Sequence, residues 1–284
     1  MFPGWASAET PGSVRAARIQ PAYRGWERLV ERLKRDGVDP VLVAKVYSDD
    51  RLPPYAPVQF NLASPESPAL YTDFFNADKL ERAERYLAEY ARTFAAAEKK
   101  YGVSREVVCA ILLVETHFGQ TPGKHRVIER LSKLASVSEP ENIAFNLPRL
   151  KKNKISVTRA QLEDRARSLV NLFYPELRAL FEIARRERID IVELRGSVAG
   201  AFGVPQFLPS SFLRFAVDGN GDGTISLFDP EDAITSAANY LASFGWQERS
   251  PLENKRRVIY AYNHSEPYID TILALAKRLR AIKE

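Results

Sequence analysis

The longest apolar run in this chain ends in an acid. Val107 to Val114 is an unbroken stretch of eight apolar residues, and Glu115 follows it directly. Ser104 stands ahead of the run as a helix cap, and Gly119 follows as a break, so the spacing predicts one helix from Ser104 to about Phe118. Its apolar stripe is Val108, Ile111 and Leu112, and the next position in that i, i+3, i+4, i+7 series is Glu115. A glutamate therefore continues a buried face. Burial disfavours the charged form of a carboxylate, and a protonated carboxyl group can hand its proton to a leaving group. A structural glutamate paired with an arginine, or one turned outward by a poor helix phase, would leave the same pattern. Periodicity alone keeps both accounts open.

Composition removes several classes of function. Eight apolar residues fall far short of the about 20 that a membrane-spanning helix needs. Met1 to Gln20 carries no apolar core of the signal-peptide type, so the chain either stays in the cytoplasm or begins after a removed leader. Cys109 is the lone cysteine and reads as a buried, inert thiol. His117, His125 and His264 offer little for a histidine-rich metal site. The net charge of +5 favours an anionic partner such as nucleic acid, membrane or cell-wall polymer, while most of these charges read as an ordinary surplus of lysine and arginine on the surface. Nothing aromatic interleaves with Lys151, Lys152 and Lys154, which argues against nucleic acid. No zinc-finger spacing, Walker loop or Rossmann glycine pattern occurs.

The remaining pattern is mainly α. Residues 1–22 are small and polar and are expected to be poorly ordered. Residues 23–100 form an N-terminal helical region, with helices expected at Tyr23–Gly37, Pro40–Tyr47 and Asn76–Tyr101. Asn76 is the expected cap of the third, whose stripe is Leu80, Ala83, Leu87, Tyr90, Phe94 and Ala97. Five prolines make Leu52–Leu70 a loop or extended linker. Residues 101–284 form a second region, with helices expected at His125–Ala135, Leu169–Arg188, Pro230–Phe244 and Val258–Ile282. Residues 137–164 are polar and basic and read as an inserted excursion, partly ordered at most. Gly196, Gly200 and Gly203 gather in a cluster of small residues, where backbone can approach a ligand or another helix closely.

Residues 218–229 have the spacing of an EF-hand-like calcium loop. Asp218, Asn220 and Asp222 place oxygens at positions 1, 3 and 5, with Gly223 at the turn. Thr224 can offer its carbonyl, Ser226 can act through water, and Asp229 stands at position 12. Asp229 is one methylene shorter than the usual glutamate and can instead cap the following helix. A single loop of this kind suggests a structural Ca2+ clip.

Taken together these segments resemble the membrane-bound lytic murein transglycosylase B family. The matching stretches are Val114-Glu-Thr-His-Phe-Gly119, Arg195-Gly-Ser-Val-Ala-Gly-Ala-Phe-Gly203, Gln206-Phe-Leu-Pro-Ser-Ser211, the calcium loop, Asp229-Pro-Glu-Asp-Ala-Ile234, Ala238-Asn-Tyr240 and Tyr262-Asn263. The resemblance implies a lysozyme-like helical catalytic core with a glycan groove. It implies cleavage of peptidoglycan between N-acetylmuramic acid and N-acetylglucosamine, with a 1,6-anhydro end formed by the substrate's own hydroxyl. Glu115 would be the sole acid/base, and Ser197, Gln206, Tyr240, Tyr262, Asn263 and Tyr268 would contact sugar. The partners implied are glycan strands and other cell-wall enzymes, and the compartment is the periplasm or cell envelope. Two departures stand out. Gly203-Val-Pro-Gln206 replaces the Gly-Tyr-Gly-Gln that the family often carries, and the family's paired groove arginines find no match near residues 137–164. A water-using hydrolase and a non-catalytic glycan-binding relative are the alternatives.

Overall fold

The computed structural model describes residues 23–60, 67–152 and 158–281. The expectation for residues 1–22 lies outside the described residues. Elsewhere the mainly helical reading is borne out, but the stretch expected as one closing helix at Val258–Ile282 is two helices, parted at residues 263–265.

α1 (Glu27–Arg35) buries Leu29, Val30 and Leu33, and Gly37 ends the turn after it with φ +84°. α2 (Pro40–Ser48) begins at Asp39, whose carboxylate accepts from the amides of Val41 and Leu42. A 3₁₀ turn at Pro68–Phe75 leads into α3 (Ala77–Glu89) and α4 (Ala91–Tyr101). The single helix expected from Asn76 to Tyr101 is thus two, parted at Tyr90 with φ −102° and ψ 28°. Asn76 does not cap α3 with its side chain but donates to the Asp73 carboxylate.

α5 (Arg105–Thr116) is the apolar run. Every residue from Val107 to Leu113 is buried, so the helix is enclosed all round and not only along the stripe of Val108, Ile111 and Leu112. Ser104 holds the N-cap position, but its hydroxyl is buried and makes no cap bond. β1 (His125–Arg126) follows, then α6 (Val127–Ala135), α7 (Pro140–Lys152) and α8 (Arg159–Glu187). Thr158 and Gln161 close a reciprocal capping box on α8.

The excursion expected at 137–164 is therefore helical over much of its described length, and it belongs to the core. Val137, Ile143 and Leu162 are buried. Asn142 and Asn146, each 1% exposed, serve the extended segment at 58–60 as hydrogen-bond partners. Asn142 Oδ1 accepts from the Val58 amide at 2.7 Å, and Asn146 Nδ2 donates to the Val58 carbonyl at 3.0 Å. The polarity that looks like a loop in sequence satisfies buried backbone in the fold.

β2 (Arg195–Gly196) pairs antiparallel with β1, His125 opposite Gly196. α9 (Pro209–Phe215), α10 (Pro230–Ser243), α11 (Leu252–Tyr262) and α12 (Glu266–Ala281) complete the chain. α3, α4, α10 and α12 all pack on α5, and α4 lies against α10. α3 and α4 thus have different main partners, which gives the break at Tyr90 a packing reason. One buried apolar cluster runs from Tyr23 to Leu279 and joins the N-terminal helices to the rest. The buried bond between the Tyr47 and Ser132 hydroxyls, at 2.7 Å, crosses that join. No described helix is long and apolar enough to cross a membrane.

Candidate active site

Glu115 sits in the last turn of α5, half-buried. The chain then reverses through three left-handed residues, His117, Phe118 and Gly119, with φ of 51°, 60° and 84°. Such a run is costly for residues with a Cβ and is held by its surroundings. Thr116 Oγ donates to the Val204 carbonyl at 2.8 Å and accepts from the Gly119 amide at 2.8 Å. His117 stacks on Phe74 at 5.3 Å, and Phe118 on Tyr86 at 4.1 Å. The carboxylate is thus fixed where the central helix stops.

Tyr268 of α12 reaches it. Its hydroxyl donates to Glu115 Oε1 at 2.7 Å. Tyr268 is 1% exposed. Burial first, and then the Glu115 charge, push its ionisation well above the usual tyrosine value, so the proton stays on the phenol. Tyr262, at the end of α11, feels the same carboxylate after burial, and its hydroxyl donates to the Pro205 carbonyl at 2.6 Å. Tyr240 meets Tyr262 edge-on at 4.7 Å and donates to the Ala261 carbonyl at 2.6 Å. Its ring lies among Phe207, Phe215 and Phe244. Asn263 is half-buried between α11 and α12.

Ser197 and Gln206 lie on the loop after β2. Ser197 Oγ accepts from the amides of Ala199 and Ala201, closing a tight turn. Gln206, in the left-handed region with φ 51°, donates from Nε2 to the carbonyls of Pro122 and Gly203. The glycine cluster serves close packing. A Cβ on Gly196 would lie 2.1 Å from the Ala201 carbonyl oxygen, and one on Gly203 2.4 Å from Leu227 Cβ.

The expected set thus divides. Glu115, Tyr262 and Tyr268 converge, and Tyr240 supports Tyr262. Tyr240 and Tyr268, expected to offer ring faces to sugar, are buried with their hydroxyls engaged, because each ring completes a helix contact. Thr116, which sequence reasoning passed over, ties the turn after Glu115 to the loop at Val204; a hydroxyl following the acid was the only signal of it.

The loop at 218–229 is tightly folded. Asp218 Oδ1 accepts from the Gly221 amide at 2.6 Å, and Asp218 Oδ2 from the Gly223 amide at 2.8 Å. Asn220 accepts from the Asp222 amide at 2.9 Å, and Asp222 from the Thr224 amide at 2.7 Å. Asp229 Oδ1 caps α10 through the amides of Glu231 and Asp232. Asp232, 1% exposed, braces the loop at both ends, accepting from the Gly219 and Ser226 amides at 2.7 Å each. Among the described residues no three His, Cys, Asp or Glu side chains gather to hold a metal. The side-chain oxygens of Asp218, Asn220 and Asp222 are hard donors of the kind calcium takes, while Asp229 is engaged by α10.

Residues 22–255 match the transglycosylase SLT domain family. The membrane-bound lytic murein transglycosylase B of Escherichia coli strain K12 is 36% identical over 173 residues, 61% of this chain and 40% of that protein. The chain thus spans about two fifths of that relative's length. The Escherichia coli lytic transglycosylase Slt35 in complex with calcium matches with a TM-score of 0.66 at 22% identity, over 90% of this chain and 93% of that one. SltB3 of Pseudomonas aeruginosa in complex with NAG-anhNAM-pentapeptide matches with a TM-score of 0.64 at 18% identity, over 90% of this chain and 80% of that one. At these identities the structural likeness speaks for the fold.

Proposed function

The chain belongs to the transglycosylase SLT domain family, and on that premise we propose that it is a lytic transglycosylase of peptidoglycan with Glu115 as its acid and base. One observation carries the reading: the carboxylate that closes the central apolar helix is half-buried and held by a buried tyrosine hydroxyl at 2.7 Å. A carboxyl group so placed can serve both halves of the reaction. Protonated, it gives its proton to the glycosidic oxygen as the bond to C1 of N-acetylmuramic acid breaks. As carboxylate it then takes the proton from the C6 hydroxyl of the same sugar, whose oxygen closes on C1 and leaves a 1,6-anhydro ring. One carboxylate suffices because the substrate supplies the nucleophile, whereas most glycosidases need two. Tyr268 orients the carboxyl group throughout.

Ser197, Gln206, Tyr262 and Asn263 are the proposed groove residues for the glycan, with Tyr240 and Tyr268 supporting them from behind. The oxygens of Asp218, Asn220 and Asp222 and the carbonyl of Thr224 would hold Ca2+, with Asp229 sharing its carboxylate between the ion and α10. The calcium complex of Slt35 supports this. The compartment is the periplasm or cell envelope, where the substrate lies.

Digestion of purified peptidoglycan followed by mass spectrometry tests the activity. Fragments lighter by one water than hydrolysed ones, absent with Glu115→Gln, are the expected result. Reducing ends alone would establish a water-using hydrolase instead, and unchanged clearing by Glu115→Gln would remove the acid from the mechanism.

A further inference from the structure

A second buried carboxylate has no part in the chemistry described so far. Glu176 stands in the interior of α8, directly after Pro175, and is 7% exposed. Among the described residues no arginine, lysine or histidine pairs with it. Its two oxygens are instead taken by one residue of another helix: Oε2 accepts from the Ser210 amide at 2.8 Å, and Oε1 from the Ser210 hydroxyl at 2.7 Å. Burying a carboxylate without a cation is expensive, and a well-packed apolar side chain often serves stability as well or better. Stability alone is therefore a poor reason for a glutamate here, and what it holds supplies a better one.

Ser210 is the second residue of α9, whose N-cap position is Leu208, a side chain unable to accept from the free amides of the first turn. Glu176 takes that place from α8. The segment leading into α9 is Phe202 to Leu208, and it carries Gln206. Phe202 and Phe207 exchange both backbone hydrogen bonds, at 2.9 and 3.0 Å, and Gln206 sits in the short reversal between them with φ 51°. A residue with a Cβ stays in that region only where its surroundings over-determine it. One end of the reversal is tied by Thr116 at the Val204 carbonyl and by Tyr262 at the Pro205 carbonyl. The clamp of Glu176 on Ser210 ties the other. Between them Gln206 points Nε2 at the carbonyls of Pro122 and Gly203.

We propose that Glu176 is a positioning residue of the groove: it anchors the start of α9 and so keeps Gln206 in its left-handed conformation. α8 packs mainly on α6, α7 and α9, whereas Glu115 and Tyr268 stand on α5 and α12. Loss of the clamp should therefore weaken the grip on glycan and spare the acid. That Gln206 contacts glycan rests on the function proposed above; that Glu176 holds Gln206 does not.

The test pairs side-chain amide NMR of the full chain with steady-state kinetics on soluble glycan fragments. Two carbonyls engage Gln206 Nε2 in the parent, so its protons should exchange slowly with water. Glu176→Leu removes both bonds to Ser210. There the Gln206 side-chain protons should exchange about tenfold faster, and KM should rise about tenfold, the worth of one hydrogen bond, with kcat within about twofold of the parent. Glu176→Gln should restore both readouts, since its carbonyl can accept from the Ser210 amide while its amino group donates to the Ser210 oxygen. Ser210→Ala removes one bond of the two, leaves α8 untouched and should fall between, so the clamp is tested even where Glu176→Leu fails to fold. Parent-like Gln206 exchange in Glu176→Leu or Ser210→Ala, a loss confined to kcat, or no rescue by Glu176→Gln would overturn the assignment. Faster Gln206 exchange in a chain that cleaves no glycan would sustain the clamp and remove only the proposed function.

Discussion

The hydroxyl of Tyr268 donates a 2.7 Å hydrogen bond to Oε1 of Glu115 across 153 residues of sequence. Burial and the carboxylate together keep the phenol protonated, so the bond holds the acid in one orientation. Tyr268→Phe should therefore lower kcat about 10- to 100-fold, the worth of one hydrogen bond to a charged group, with KM little changed. The ring remains to fill its buried site, so the melting temperature should move by only a few degrees. Steady-state kinetics on soluble glycan fragments checks this; a rise confined to KM would show that Tyr268 binds sugar instead.

Gly196 is the tightest point of the loop that carries Ser197. A Cβ there would lie 2.1 Å from the Ala201 carbonyl oxygen, and that oxygen already accepts from the Ser197 amide at 2.8 Å. Neither backbone group can yield without breaking the bond. Gly196→Ala should cost about 2–4 kcal/mol in denaturant unfolding and reduce glycan binding as Ser197 shifts. A variant as stable as the parent would show that the loop is looser than its geometry implies.

The acid was legible in sequence because helix phase is local: Val108, Ile111, Leu112 and Glu115 lie within two turns. Its partner was not, since nothing in the residues around Tyr268 says which carboxylate it will meet. The polar stretch at 137–164, expected as an excursion, joins the core through Asn142 and Asn146. Asparagine favours loops only when its amide has no better use, and here the backbone at 58–60 supplies one. The break at Tyr90 was hidden because the stripe continues unbroken from Leu80 to Ala97; the fold divides it between α5 and α10. Asn76 and Ser104 occupy cap positions without making cap bonds, so composition found the helix starts but not their chemistry.

Alkaline pH should act on Tyr240. Burial pushes its hydroxyl up to about 12 from the ordinary 10.0. Between those values the unfolded chain releases the proton and the fold retains it. The folded state then binds more protons, so stability falls as pH rises through this window and is intact below it. The loss should reach roughly 2 kcal/mol for this residue after solvent screening is allowed for. Tyr240→Phe removes the bond to the Ala261 carbonyl and should start about 1 kcal/mol less stable at neutral pH. Its decline from about pH 10 to 12 should nevertheless be shallower than the parent's. Parallel slopes in thermal melts across that range would rule out Tyr240 as a source.

Asp232 should couple the loop at 218–229 to the stability of α10. Its two oxygens accept from Gly219 and Ser226 at 2.7 Å each, and the side chain is 1% exposed. Asp232→Asn keeps the shape but turns one acceptor into a donor facing an N–H. It should cost about 2–4 kcal/mol through the unmet pair. If calcium occupies the proposed site at a hundredfold excess over Kd, chelation should remove about 2.7 kcal/mol, or roughly 5–10 °C of Tm. Asp232→Asn should respond less to the chelator, because its loop no longer holds Asp218 and Asp222 in place. Calorimetry of both proteins with and without calcium decides the matter. A parent protein whose melting ignores the chelator has no calcium site, and the brace by Asp232 would then serve the fold alone.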